Sequence, residues 1–250
     1  LAPDVPSEPH YILMEAGTNS FPDHKFTSDD DPVSKKGKNS TKNKNHLVAQ
    51  MNSAAVPVTW MSYQEDMPAG QCPIQSVGRY AAKHNPFVFF EDVSGNPPRT
   101  DNKFCIEHHK PYTGLFAADL AANNLKNYVF ITPNLCNDMH GHDKKCAFGR
   151  GDDRRIKTGD DWLQAELPRI IEWVTKNAGV IFIVWDEGDD KQKLPFFAIG
   201  PGVKPGHAST VPFDHGSLVK SVEKIFNLPI LPKVSKSNDF ADLFVSGSFP

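Results

Sequence analysis

The chain has 250 residues, enough for one large α/β domain with a sizeable core. Its formal net charge of -3 implies no polyelectrolyte partner, which argues against nucleic acid. No apolar stretch approaches the ~20 residues that a membrane-spanning helix needs.

The first five residues read neither as a signal peptide nor as the start of a domain, so further residues are expected upstream. Pro6 and Pro9 flank Ser7 and predict a tight turn, with helical or strand potential over residues 11–16. A serine held there, ahead of an ordered element, is a candidate nucleophile at a helix N-terminus; the alternative is a serine that only caps or turns. Residues 23–46, with the Asp29-Asp30-Asp31 triplet and Lys35-Lys36, predict a solvated surface loop. An amphipathic helix follows over 46–55, then an alternating strand over 57–63 that ends in Gln64-Glu65-Asp66. Lys83, His84 and Asn85 stand together before an apolar run to Phe90; His84 is a phosphate-side donor or else a buried structural histidine.

Residues 91–111 predict a polar loop with Cys105, His108 and His109, and 112–125 a helix. Residues 127–134 predict a buried strand that delivers Asn134, Asn137, Asp138 and His140. Residues 149–161 predict a charged, flexible segment, and 161–175 an amphipathic helix kinked at Pro168. Val180 to Trp185 is an unbroken apolar run bounded by glycines, expected to be a strand buried on both faces at the centre of the sheet. After a polar loop over 188–193, another strand is expected near 194–202. The last helix, 218–226, has Ser217 as its expected cap. Strand, polar cluster, loop and helix repeat four or five times, which predicts a parallel or mostly parallel α/β fold with a polar site at one edge.

Asp186 and Glu187 directly follow the central strand, where ligands gather in open α/β sheets. Adjacent carboxylates repel unless a cation lies between them, and Mg, Ca, Mn or Zn accept such oxygens. The alternative is a solvated acidic turn. Four cysteines, Cys72, Cys105, Cys136 and Cys146, permit two disulfides, with Cys136 and Cys146 able to close a small loop; four buried free thiols are the alternative. Asn39-Ser40-Thr41 is a glycosylation sequon, and together with the cysteines it points to an oxidising compartment.

Several stretches taken together resemble the phosphoesterase family of bacterial and fungal acid phosphatases and phosphocholine-type phospholipases C. They are Ser62-Tyr63-Gln64-Glu65-Asp66-Met67-Pro68, the Lys83-His84-Asn85-Pro86 core, Asn134 through His140, Trp185-Asp186-Glu187-Gly188, and Asp214-His215-Gly216-Ser217. The resemblance implies an alkaline-phosphatase-like layered α/β/α fold with a mostly parallel central sheet. It implies a single domain over 1–250 that is short of its N-terminal metal-binding strand, since none ending in Glu-Asn precedes Ser7. By its match to the family's Pro-Ser-x-Pro-Asn-Tyr stretch, Pro6 through Tyr11 makes Ser7 the nucleophile and a metal ligand, with Asp186 and Glu187 the other metal ligands. His140, His84 and Asn85 would act on the reacting phosphoryl group, and Lys83, Asn137, Asp138 and His215 would bind substrate. His10 and Val5 depart from the Asn and His usual at their positions. The implied activity is a metal-dependent phosphomonoesterase of acid phosphatase type, secreted or periplasmic, acting on a small phosphorylated substrate. The alternatives are a phosphodiesterase or phospholipase C, and a non-catalytic binding protein that keeps the fold.

Overall fold

Residues 6–34, 37–142, 144–146, 152–188 and 193–249 are described by a computed structural model of the chain. Val5, Lys35, Lys36, residues 149–151 and most of the 188–193 loop lie outside the described residues. In chain order the elements are helix α1 (Ser7–Ala16), strands β1 (Val33–Ser34) and β2 (Gly37–Lys38), α2 (Leu47–Ser53), β3 (Trp60–Gln64), α3 (Glu91–Ser94) and α4 (Lys103–His108). Then come β4 (His109–Pro111), α5 (Tyr112–Ala121), β5 (Tyr128–Thr132), α6 (Asp152–Lys176), β6 (Ile181–Val184), β7 (Phe196–Ile199) and α7 (His215–Ile225). The chain divides into two compact units, each discontinuous in sequence. One comprises Asp30–Lys42 and Thr59–Ile170; the other comprises Leu1–Asp29, Asn43–Val58 and Ile171–Pro250. Among the described residues no helix is long and apolar enough to cross a membrane.

The first of these units holds a three-stranded parallel sheet in the order β4-β3-β5. Ser62 stands opposite both His109 and Phe130. All five residues of β3 are buried, so the central strand here is β3. Met61 and Tyr63 pack with Tyr112 and Phe116 of α5, and Trp162 and Ile170 of α6 lie against them. Residues 91–111, expected as a loop, instead carry α3, α4 and β4. Pairing to β3 imposes the strand on His109-Lys110-Pro111, which has no strand propensity of its own. Two disulfides, Cys72–Cys105 and Cys136–Cys146, staple this unit and exclude four free thiols. The expected surface loop contains the β1–β2 hairpin and the buried Ser40 and Thr41. Asn39 is 7% exposed and its amide donates to the Asp30 carbonyl, so the folded sequon offers no accessible acceptor.

In the other unit, β6 and β7 pair antiparallel, with Ile181 opposite Ile199. This corrects the expected central strand: residues 181–184 are half-buried, in a two-stranded sheet of their own. The rings of Phe182, Phe196 and Phe213 close on Phe240 at 4.4–5.2 Å. α1 packs on α7. Glu15 near the end of α1 accepts from the Val48 N–H at 2.9 Å and from His46 Nδ1 at 2.8 Å, which satisfies a donor at the start of α2. The overall result is a mixed α/β chain whose parallel sheet, among the described residues, has three strands.

Candidate functional site

Helix α1 begins at Ser7 itself, after Pro6 in extended conformation (φ -71°, ψ 175°). Pro9 is tolerated because first-turn N–H groups have no intrahelical acceptor. The helix therefore starts where a turn was expected. It sets Ser7 and His10 three residues apart, on one face. Both are buried, at 2% and 3% exposed.

That face meets the segment after β6. The Ser7 hydroxyl donates to Glu187 Oε1 at 2.8 Å. His10 Nδ1 lies 3.7 Å from Glu187 Oε2. Ligand atoms of His10, Asp186 and Glu187 all fall within 4.8 Å of one another. Among the described residues, neither ring nitrogen of His10 has a hydrogen-bond partner. A buried imidazole of that kind, beside two adjacent carboxylates, fits a bound cation. His10 was weighed in the sequence only as a departure from a motif; its spacing from Ser7 was the signal that could have marked it.

His215, the first residue of α7, also reaches this group. Its Nε2 donates to the Asp186 backbone carbonyl at 2.7 Å, and its ring lies 5.8 Å from that of His10. Burial pushes its pKa down to about 4, partly opposed by that hydrogen bond, so the ring is neutral at ordinary pH. The helix is fixed by a capping box. Asp214 is the N-cap and accepts from the Ser217 N–H at 2.8 Å, while Ser217 Oγ accepts from the Asp214 N–H at 3.0 Å. Ser217, expected as the cap, is thus its reciprocal partner.

The other predicted residues fold within the unit that carries the parallel sheet. His84 ends a short 3-10 turn (Ala82–His84), with its Nδ1 3.9 Å from Asp138 Oδ2. Asp138 Oδ1 accepts from the backbone N–H groups of His140 and Gly141. Burial nevertheless holds the Asp138 carboxyl above its ordinary pKa. His140 is exposed, and Lys83 is half-buried. Asn85 is fully buried; its amide donates to the Tyr80 hydroxyl at 3.2 Å, and its oxygen lies 3.3 Å from His109 Nε2. Asn137 spans both carboxylate oxygens of Glu65 at 2.9 and 3.0 Å. His109, read as a loop residue, is a core residue of this network.

The chain is 31% identical over 228 residues to the phosphatidylinositol-3-phosphatase of Mycobacterium tuberculosis, covering 90% of this chain and 63% of that one. It is 31% identical over 188 residues to the phosphate-repressible acid phosphatase of Penicillium chrysogenum, covering 70% and 40%. Against an acid phosphatase of Aspergillus fumigatus the identity is 27% over 245 residues, 90% of this chain and 47% of that one. The chain thus spans less than two thirds of the length of each of these relatives. The Phosphoesterase family profile matches residues 3–229, and by that match the chain belongs to the phosphoesterase family.

Proposed function

We propose that this chain is a phosphomonoester hydrolase of acid phosphatase type with Ser7 as its nucleophile. The observation that carries the proposal is the buried Ser7 hydroxyl at the N-terminus of α1, donating to Glu187 across 180 residues of sequence. The names of the relatives, acid phosphatases and a phosphoinositide phosphatase, support a monoester over a diester.

In this reading Asp186 and Glu187 hold a divalent cation, which when bound supplies Lewis-acid stabilisation of a serine alkoxide and of phosphoryl oxygens. Glu187 orients the Ser7 hydroxyl and takes its proton as Oγ attacks phosphorus. The ester P–O bond breaks, and the leaving alkoxide takes up a proton from solvent. Water then attacks phosphorus, the P–Oγ bond breaks to release inorganic phosphate, and the proton held by Glu187 returns to Ser7 Oγ. The dipole of α1 favours negative charge at its start. Its donor set is thin, however: Pro9 has no N–H, and that of Glu8 is already bonded to Asp29. His215, neutral and tied to the Asp186 carbonyl, holds the carboxylate segment in place. Lys83, His84, Asn85, Asn137, Asp138 and His140 are proposed to serve the phosphoryl group, within an alkaline-phosphatase-like layered fold. Two disulfides suit a secreted or periplasmic setting.

Ser7→Ala is expected to abolish hydrolysis of p-nitrophenyl phosphate while leaving the thermal unfolding temperature close to that of the parent. Retained turnover in that variant would remove Ser7 from the mechanism. Faster hydrolysis of bis(p-nitrophenyl) phosphate than of the monoester would favour a diesterase.

A further inference from the structure

We infer that His10 turns this centre into a mixed nitrogen and oxygen site that selects a transition-metal dication of the zinc class over magnesium and calcium. The inference rests on the reading of Asp186 and Glu187 as cation ligands. A purely oxygen set suits Mg, Ca or Mn, whereas imidazole shifts preference toward Zn and its neighbours.

Three other buried histidines of this chain show what a structural imidazole does. His46 Nδ1 bonds Glu15 at 2.8 Å, His109 Nδ1 donates to the Cys105 carbonyl at 2.8 Å, and His215 Nε2 donates to the Asp186 carbonyl at 2.7 Å. His10 is as buried as these, yet neither of its nitrogens finds a hydrogen-bond partner among the described residues. Burying two unsatisfied polar atoms is unfavourable unless something else engages them. The 3.7 Å between His10 Nδ1 and Glu187 Oε2 is too long for a hydrogen bond. It is close to the ~3.3–3.5 Å that separates two ligands of a tetrahedral zinc at ordinary bond lengths.

Ser7 lies one helical turn before His10 and reaches the other oxygen of Glu187. His10, Asp186 and Glu187 supply three donors, the number a catalytic zinc takes from its protein, with a fourth position left for water or substrate. Calcium needs six to eight oxygens, and magnesium a strict octahedron that keeps several waters. A set of three protein donors, one of them an imidazole, favours neither.

The test is direct metal binding to the purified, chelator-stripped protein, by competition with a chromophoric indicator for Zn2+, Mg2+ and Ca2+. Zn2+ is expected to bind tightest. In His10→Asn its affinity should fall by at least the roughly 10- to 100-fold that loss of a mere supporting partner costs. Mg2+ affinity should hold. Unchanged Zn2+ affinity in His10→Asn, or Mg2+ or Ca2+ binding the parent as tightly as Zn2+, would overturn the inference. If the variant does not fold, the visible spectrum of the Co2+-loaded parent decides. The intense bands of four-coordinate cobalt are expected, and the weak bands of a six-coordinate ion would refute it. A protein that binds zinc through His10 but hydrolyses no phosphomonoester sinks the hydrolase reading alone. One that hydrolyses but shows no dependence of zinc affinity on His10 sinks this inference alone.

Discussion

His109 opens β4 with its ring packed edge-on to Trp60 and Phe87. Burial holds its pKa down to about 4, against an ordinary 6.5, even though Nδ1 donates to the Cys105 carbonyl. The unfolded chain therefore takes up a proton below pH 6.5 that the folded chain refuses until about pH 4. Stability from this residue is complete above pH 6.5 and is lost as the pH falls toward 4. A displacement of that size corresponds to about 3 kcal/mol. Urea unfolding at pH 7 and at pH 4.5 should show a large loss of stability in the parent protein and a smaller one in His109→Asn. Equal pH dependence in both would mean that the buried ring is not what couples this unit to acid. His109 and His10 are both buried, but among the described residues only His109 has a hydrogen-bond partner for its Nδ1.

At the scale of elements, α6 shows why local pattern misleads. Its first third, Asp152 to Asp160, is charged and contains Gly159, so it was expected to be flexible; it is helical from Asp152. The glycine is there for contact, not for bending. A Cβ at 159 would stand 2.3 Å from Met139 Cγ and 2.9 Å from the Asn137 carbonyl oxygen. The helix thus lets the 137–139 segment, part of the predicted phosphate-handling stretch, come against its backbone. Gly159→Ala should gain about 1 kcal/mol of helix propensity and lose about 1–3 kcal/mol to overpacking, a net loss. Denaturant unfolding of Gly159→Ala against the parent measures it; a stabilised variant would show that the segment moves aside freely. What was legible in sequence was whatever a residue's own neighbours decide: β3, β5, α2, α7, and the carboxylate pair just past an apolar run. What was not legible was decided by distant pairing. β4 is a strand because β3 lies beside it, and Asp214 rather than Ser217 is the cap because Asp214 is extended (φ -137°, ψ -178°) while Ser217 already lies inside the helix. His10 fell between the two, its position readable from Ser7 but its lack of a hydrogen-bond partner among the described residues visible only in three dimensions.

For the molecule as a whole, the covalent staples are unevenly placed. Both disulfides lie in the unit Asp30–Lys42 and Thr59–Ile170. That unit also keeps its central strand buried on all five residues, while β4, its edge strand, has only three residues. Cys72–Cys105 ties the loop before Tyr80 to α4, the helix that leads into β4, across a separation of 33 residues. Chain-entropy arguments assign about 4 kcal/mol to a closure of that size and about 3 kcal/mol to one of ten residues, the separation of Cys136 and Cys146. Either value is a large part of the roughly 5–15 kcal/mol by which folded domains are stable. Reduction should therefore lower the stability of this unit steeply, and more through the longer closure. The paired variants Cys72→Ser/Cys105→Ser and Cys136→Ser/Cys146→Ser separate the two contributions, read as amide hydrogen exchange in β3, β4 and β5. Protection should drop further in the first pair, because its staple alone anchors the short edge strand through α4. Equal protection in the parent, in both pairs and in reduced protein would mean that parallel pairing and the α5–α6 core hold the sheet without the staples.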